Sequence, residues 1–127
     1  MYTVKEASER LGISPHTIRY YTNQNLTPNL SRDKNGARLF SEEDIQYLQV
    51  AIYLRNCDMP IQKIRKYFSL AAQGDSTVKE RYHMLLEQQE QLEKQLNQIL
   101  ESQKYITDKL SYYSSFIGQD PAEQPPV

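Results

Sequence analysis

Between Val78 and Ile117 the chain runs without a glycine or a proline, and no other feature of its 127 residues limits the possible folds so strongly. A stretch free of both helix breakers can form one continuous helix, roughly 60 Å long at 1.5 Å per residue. Thr77, with Glu80 three residues on, supplies a capping-box pattern at its start. With Leu92 set at position d, the d series reads Val78, Leu85, Leu92, Ile99, Ile106, Tyr113 and the a series Tyr82, Gln89, Leu96, Gln103, Leu110, Ile117. Ten of these twelve seam positions are apolar, which is the pattern of a coiled coil. Packing against its own domain is the ordinary fate of such a stripe, but the roughly 73 residues that precede it are too few to cover it. A second copy of the chain, paired through residues 78–117, is therefore the expected partner. Gln89 and Gln103 interrupt the apolar seam, and polar residues at a commonly set register.

The residues before this helix read as a small head. Thr3 and Glu6 form a capping box that opens a helix ending at Gly12. Ser14 followed by Pro15 is a cap plus a proline at the first helical position, so a second helix begins almost at once. Two helices joined by so short a loop give the spacing of a helix-turn-helix. Asp33-Lys34-Asn35-Gly36 lies between two short extended segments, and Asn-Gly suits the positive φ angles of a tight hairpin turn. Ser41 caps a third helix with Glu42, Glu43 and Asp44 in its first turn, where the helix dipole favours them. Pro60 opens a fourth helix with Ile61, Ile64, Phe68 and Ala71 at helical spacing, stopped at Gly74. The expected architecture is mostly α: a winged helix-turn-helix head over 1–73, a linker at 74–77, a coiled-coil dimerisation helix over 78–117 and a disordered, proline-bearing tail at 118–127.

Composition removes several alternatives. Nothing approaches the roughly 18 to 20 apolar residues in a row that a membrane span requires, and the N-terminus lacks a signal-like run, so a cytoplasmic protein with no membrane partner is expected. One cysteine and two histidines rule out a disulfide framework and the usual four-ligand zinc site, and no metal or other cofactor is expected. No glycine-rich phosphate loop and no nucleophile with a paired base can be assembled, so the chain is not read as an enzyme. The net charge of −1 conceals an asymmetry. Residues 1–68 carry ten Lys or Arg against seven Asp or Glu, and residues 69–127 carry five against nine. A mildly basic head joined to an acidic remainder suits a head that approaches phosphate.

The second helix turns Ile18 and Tyr21 to one side and His16, Arg19, Tyr20 and Asn23 to the other. Arginine can fork onto phosphate or guanine, tyrosine can donate to a phosphate oxygen, and His or Asn can read base edges. A plain solvated face would account for those four residues alone. The hairpin adds Arg32, Lys34 and Arg38, and the fourth helix adds Lys63, Arg65 and Lys66. Three basic clusters around one helix are the footprint of a nucleic-acid-binding head.

The run Ile18-Arg19-Tyr20-Tyr21, then Leu26 and Pro28, then Asn35 to Ile45, then Leu54-Arg55 and Ile64, resembles the DNA-binding head of the MerR family of bacterial transcription regulators. The resemblance covers residues 2 to about 70, and the long helix matches that family's dimerisation element. It implies a homodimer whose long helices pair antiparallel and present two heads to an inverted-repeat promoter. His16, Thr17, Arg19 and Tyr20 would enter the major groove, while Tyr21 and Arg38 would hold the backbone. Binding would distort the promoter so that RNA polymerase can engage it, a use of duplex deformability rather than of base reading alone. An effector-independent repressor or an architectural DNA-binding protein is the alternative. Three positions depart from the family pattern: Thr22 stands where an acidic residue is usual, Asn25 where glycine is, and Ala37 where an aromatic is.

The cysteines of the family's metal sensors are absent here, and thiolate metal sensing is not expected. The stretch Gln73 to Val78, with a coil ending near Tyr112-Tyr113, resembles the subgroup associated with aldehyde and thiol-stress responses. Some of its members use a third-helix cysteine that corresponds to Tyr53. Cys57 lies one turn later and reads either as an incidental cysteine or as an electrophile sensor. Its place at a helix C-terminus beside Asp58 disfavours the thiolate. The coil tyrosines, Tyr82, Tyr105, Tyr112 and Tyr113, are read as packing residues or as walls of a small-molecule pocket with Tyr67 and Phe68.

Overall fold

A computed structural model describes residues 1–117. Its elements run α1 (Val4–Leu11), α2 (Pro15–Asn23), β1 (Ser31–Arg32), β2 (Arg38–Leu39), α3 (Glu42–Asn56), α4 (Ile61–Ala72), a 3-10 turn (Gly74–Thr77) and α5 (Val78–Ser114). The tail expected at 118–127 lies outside the described residues. The chain divides into two compact units, the first Met1–Gln88 and the second beginning at Gln89.

Local chemistry sets the helix starts in the head. Thr3 and Glu6 complete their reciprocal capping box, and Gly12 ends α1 in the left-handed conformation. The Ser14 side chain accepts from the Thr17 N–H with Pro15 at the first position of α2. Ser41 and Asp44 cap α3 reciprocally. Asn25 has φ of 60°, so the asparagine at the family's usual glycine position adopts the left-handed conformation that it tolerates.

Two details differ from the sequence expectation. The hairpin turn is wider than a two-residue Asn-Gly turn, because Gly36 has positive φ and Asn35 does not. The Asp33 carboxylate accepts from the Asn35 and Ala37 backbone N–H groups at 2.8 and 2.9 Å, and Gly36 N–H donates to the Asp33 carbonyl at 3.0 Å. Asp33 therefore closes a turn over Lys34-Asn35 with Gly36 as the left-handed residue that follows it. Thr77 also departs from its expected role as a cap on α5. Its hydroxyl is buried and donates backward to the Leu70 and Gly74 carbonyls, while Arg81 Nε donates to it at 3.1 Å. These contacts, reaching from Leu70 to Arg81, tie the end of α4 to the start of α5.

The core of the first unit gathers Ala7 from α1, Ile18 and Tyr21 from α2, Leu26, Phe40, Leu48 and Ala51 from α3, Met59, and Ile64 and Phe68 from α4. β1 and β2 pair antiparallel with Ser31 opposite Leu39 and Arg32 opposite Arg38. The ribbon is anchored where Tyr2 and Phe40 exchange backbone hydrogen bonds of 2.7 and 2.8 Å. The first unit extends beyond the expected boundary near residue 73 because the opening turns of α5 belong to it. Gln88 is buried and donates from Nε2 to the Cys57 carbonyl at the end of α3. In the second unit α5 continues to Ser114, and residues 115–117 form a turn where the sequence suggested more helix. No helix among the described residues is long and apolar enough to cross a membrane.

Candidate nucleic-acid interface

Helix α2 owes its two faces to its burial pattern. Ile18, Tyr21 and Thr22 point into the core, which leaves His16, Arg19, Tyr20 and Asn23 exposed and Thr17 half-buried. Tyr20 keeps 47% of its surface open to solvent although the two residues that follow it are buried. Thr17 Oγ1 lies 2.9 Å from Ser14 Oγ, so its hydroxyl belongs partly to the helix cap. Thr22 buries its hydroxyl by donating to the Arg19 carbonyl at 2.9 Å. A self-satisfied threonine thereby fills the core position where the family usually carries an acid.

The wing is held against this helix by one guanidinium. Arg38 Nη2 donates to Asn23 Oδ1 at 2.8 Å, across fifteen residues of sequence, while its Nε is buried with no hydrogen-bond partner. The guanidinium is thereby fixed, with its positive charge, beside the exposed face of α2. Arg32 Nη1 donates to the Gly36 carbonyl at 2.8 Å and so helps to close the ribbon. Lys34 at the turn and Lys63 in the first turn of α4 are exposed.

Tyr21 sits differently from the other expected backbone contacts. It is buried in the core, and burial pushes its phenol up from the ordinary tyrosine value, with Arg55 opposing the shift. Its ring supports α2 from beneath. Asn23, the partner of Arg38, appeared in the sequence only as one more outward residue, because its contact depends on where the wing folds. A second feature had no sequence signal at all. Arg10 grips the Glu42 carboxylate with both Nη atoms, at 2.7 and 2.9 Å, and stacks 4.9 Å above the Tyr2 ring, whose hydroxyl also donates to Glu42. These donors hold the Glu42 carboxyl at about 2, well below the usual range, with Arg10 the larger cause. The cluster fastens α1 and the Tyr2 segment to the start of α3.

Cys57 is half-buried at the C-cap of α3. Tyr67 and Phe68 line a recess of about 290 Å³ with Glu43, Gln46, Tyr47, Val50 and Ala71, so its walls come from α3 and α4. Tyr47 meets Phe68 edge-on at 4.9 Å, which makes much of this surface ordinary aromatic packing. His83 is exposed on α5.

Residues 2–71 match the family model described as MerR HTH family regulatory protein, and residues 45–108 match a second described as MerR, DNA binding. An HTH-type transcriptional regulator of Haemophilus influenzae is 31% identical over 112 residues, covering 88% of this chain and 83% of that protein. The crystal structure of HiNmlR, a MerR family regulator lacking the sensor domain, bound to promoter DNA, superposes with a TM-score of 0.78 at 30% identity, over 93% of this chain and 95% of the other. A MerR family transcriptional regulator from Bacillus thuringiensis gives 0.77 at 32% identity, over 88% and 98%.

Proposed function

The chain belongs to the MerR family of DNA-binding transcription regulators, and from that premise we propose that it works as a homodimer, paired antiparallel through residues 78–117, on an inverted-repeat promoter. The exposed face of α2 carries this reading, because it stands free on a fully packed core beside a wing arginine bonded to its own Asn23. His16, Thr17, Arg19 and Tyr20 would read the major groove. Arg38, Lys34 and Lys63 would take phosphate, with Arg32 holding the shape of the ribbon and adding charge. Tyr21 would act from below, fixing the pitch of α2. Two heads on one rigid coil would engage successive half-sites, and a mismatch between head spacing and DNA repeat would be relieved by bending and untwisting the duplex. RNA polymerase would then meet a promoter whose elements have been realigned.

The test is a footprint on the DNA upstream of the protein's own reading frame. A symmetric protected pattern with enhanced cleavage at its centre is expected. A symmetric footprint on an undistorted duplex would instead favour a plain repressor, and absence of sequence preference would favour an architectural protein. For the signal, Cys57 is the candidate, since alkylation of a half-buried thiol whose own carbonyl is bonded to Gln88 would press on the joint between α3 and α5. Run-off transcription with wild type and Cys57→Ser, with and without a reactive aldehyde, tests it. An equal response in the two proteins removes Cys57 from the account.

A further inference from the structure

The two strands of the wing set like charges face to face. Arg32 stands directly opposite Arg38 in the pairing of β1 with β2, and like charges in opposed positions repel across a ribbon. Among the described residues neither guanidinium is paired with a carboxylate. Each is held by a neutral oxygen instead. Arg32 turns along its own ribbon to the Gly36 carbonyl, and Arg38 reaches out of the wing to Asn23 Oδ1. Arg38 has reason to leave this place, since its Nε is shut away from water with no hydrogen-bond partner. Swinging into solvent would satisfy that donor and separate the two charges. Among the described residues the bond to Asn23 is the one side-chain hydrogen bond that opposes the move.

Asn23 belongs to the row of side chains assigned to the major groove. His16, Arg19, Tyr20 and Asn23 fall at helical spacing and are all exposed, so they share one face of α2. Asn23 ends that row, about 4.5 Å along the axis from Tyr20 at the helical rise. Resting on the reading of Arg38 as a phosphate contact, we infer that Asn23 is a positioning residue for operator choice. It fixes the Arg38 guanidinium relative to the exposed face of α2 and touches neither base nor phosphate itself. The role requires a neutral acceptor. A carboxylate in its place would pair with the guanidinium and offset the charge that a phosphate needs, whereas an amide oxygen holds the group and leaves the charge whole. Phosphate contacts carry no sequence information directly, but they set the register in which a helix meets base edges. With Arg38 tied to Asn23, the grip on the backbone and the base-facing row engage the duplex at one fixed offset. An operator complex needs both at once, while an unrelated duplex is held by charge alone and tolerates a loose grip.

A double-mutant cycle in the full-length protein tests the inference, with affinities for the footprinted upstream duplex and for an unrelated duplex read by fluorescence anisotropy. Asn23→Ala is expected to weaken binding to the upstream duplex about tenfold per head, the effect of losing one hydrogen bond to a charged group. Its binding to the unrelated duplex should barely change. Arg38→Ala is expected to weaken both duplexes and to lower the salt slope by about 1 per head. Added to Arg38→Ala, Asn23→Ala should cost nothing further, because a residue that acts only through Arg38 has nothing left to position. Additive losses would mean that Asn23 touches DNA on its own, and would overturn the inference. Wild-type affinity in Asn23→Ala, or an equal loss on both duplexes, would overturn it too. Arg38→Ala with wild-type affinity and an unchanged slope would instead defeat the phosphate contact on which the inference rests. Should Asn23→Ala lower the melting temperature of the head, Asn23→Leu, close in shape but without the acceptor, repeats the cycle.

Discussion

The two units of this chain are rich in apolar residues to much the same eye, yet they dispose of them in opposite ways. Through Gln88 the side chains of short, differently directed helices converge, and Phe40, Ile18, Leu26, Leu48, Met59 and Ile64 lose essentially all contact with water. From Gln89 onward a single helix has no second direction from which to cover itself, and none of its described residues is buried. Hydrophobicity does not distinguish the regions; the number of elements that can meet does. The head closes on itself because tight turns at Gly12, Asn25 and Asp58 fold its helices back, and the coil stays open because nothing interrupts it. A DNA-binding head can therefore close within one chain, while the apolar stripe of the long helix stays uncovered in it.

The sharpest way to break that contrast is to attack each region with a substitution that leaves the other alone. Phe40→Ala empties the largest fully buried site of the head. A Phe→Ala change in a core costs about 3–5 kcal/mol, a large share of the roughly 5–15 kcal/mol that stabilises a domain of ordinary size. The urea midpoint of the head is expected to collapse, and operator binding with it. Ile99→Asp addresses the other region. Ile99 is 64% exposed in the single chain, so the head should fold normally. Covering one such side chain contributes about 1.5–3 kcal/mol, and a dimer loses two of them, so the dimer dissociation constant should rise by about 10²–10⁴-fold. Analytical ultracentrifugation beside thermal melting checks both halves. A monomer with an intact melt sustains the comparison, and loss of the head's own transition would refute it.

The surface of the head gives a smaller, more specific effect. Arg19→Ala and Tyr20→Ala should each weaken operator binding by about 1–3 kcal/mol, with dimer mass and melting unchanged. Comparing operator with unrelated DNA by fluorescence anisotropy is the measurement. Equal loss on both sequences would recast the residue as a phosphate contact, and no loss would remove α2 from the interface.

What could be foreseen from the sequence follows the range of the interactions. Helix starts at Thr3, Ser14 and Ser41 were legible because a cap and its partner lie three residues apart. The long helix was legible because periodicity and missing breakers are properties of the string itself. The hairpin existed as expected, but its width depended on whether the Asp33 carboxylate would take two N–H groups. Thr77 followed the capping pattern and then spent its hydroxyl on Leu70, since a tertiary acceptor within reach outweighs a local one. On the candidate interface the outward face of α2 could be read from a 100° rotation. The inward place of Tyr21 beside Ile18 followed from the same rotation, but the Arg38 bond to Asn23 could not be read, because it depends on the final position of the wing. Arg10, Tyr2 and Glu42, spread over forty residues, carry no local mark at all.

That last cluster supplies the finest test of the contrast, because it belongs wholly to the head. The Glu42 carboxyl titrates at about 2 in the folded protein against 4.5 for an unperturbed glutamate. Its folded value is depressed, so the stabilisation it contributes is fully present above about 4.5 and disappears as the pH falls toward 2. Glu42→Gln cannot titrate. The gap in melting temperature between wild type and Glu42→Gln should stay constant from pH 7 to about 5 and then close over that acid window. Arg10 and Glu42 are both solvent-exposed, with side chains 44 and 60% open, so screening keeps the gap small and added salt should shrink it further. Glu6, whose carboxyl is also held low by the Thr3 cap, loses its contribution in both proteins. The difference between the two melts therefore isolates Glu42. Followed by near-ultraviolet dichroism of the head's tyrosines at a concentration that keeps the dimer intact, a closing gap means that the tie between α1 and α3 is electrostatic. A gap that persists at pH 2 means that Glu42 acts through packing and neutral hydrogen bonds, and the head would then owe its closure to shape alone.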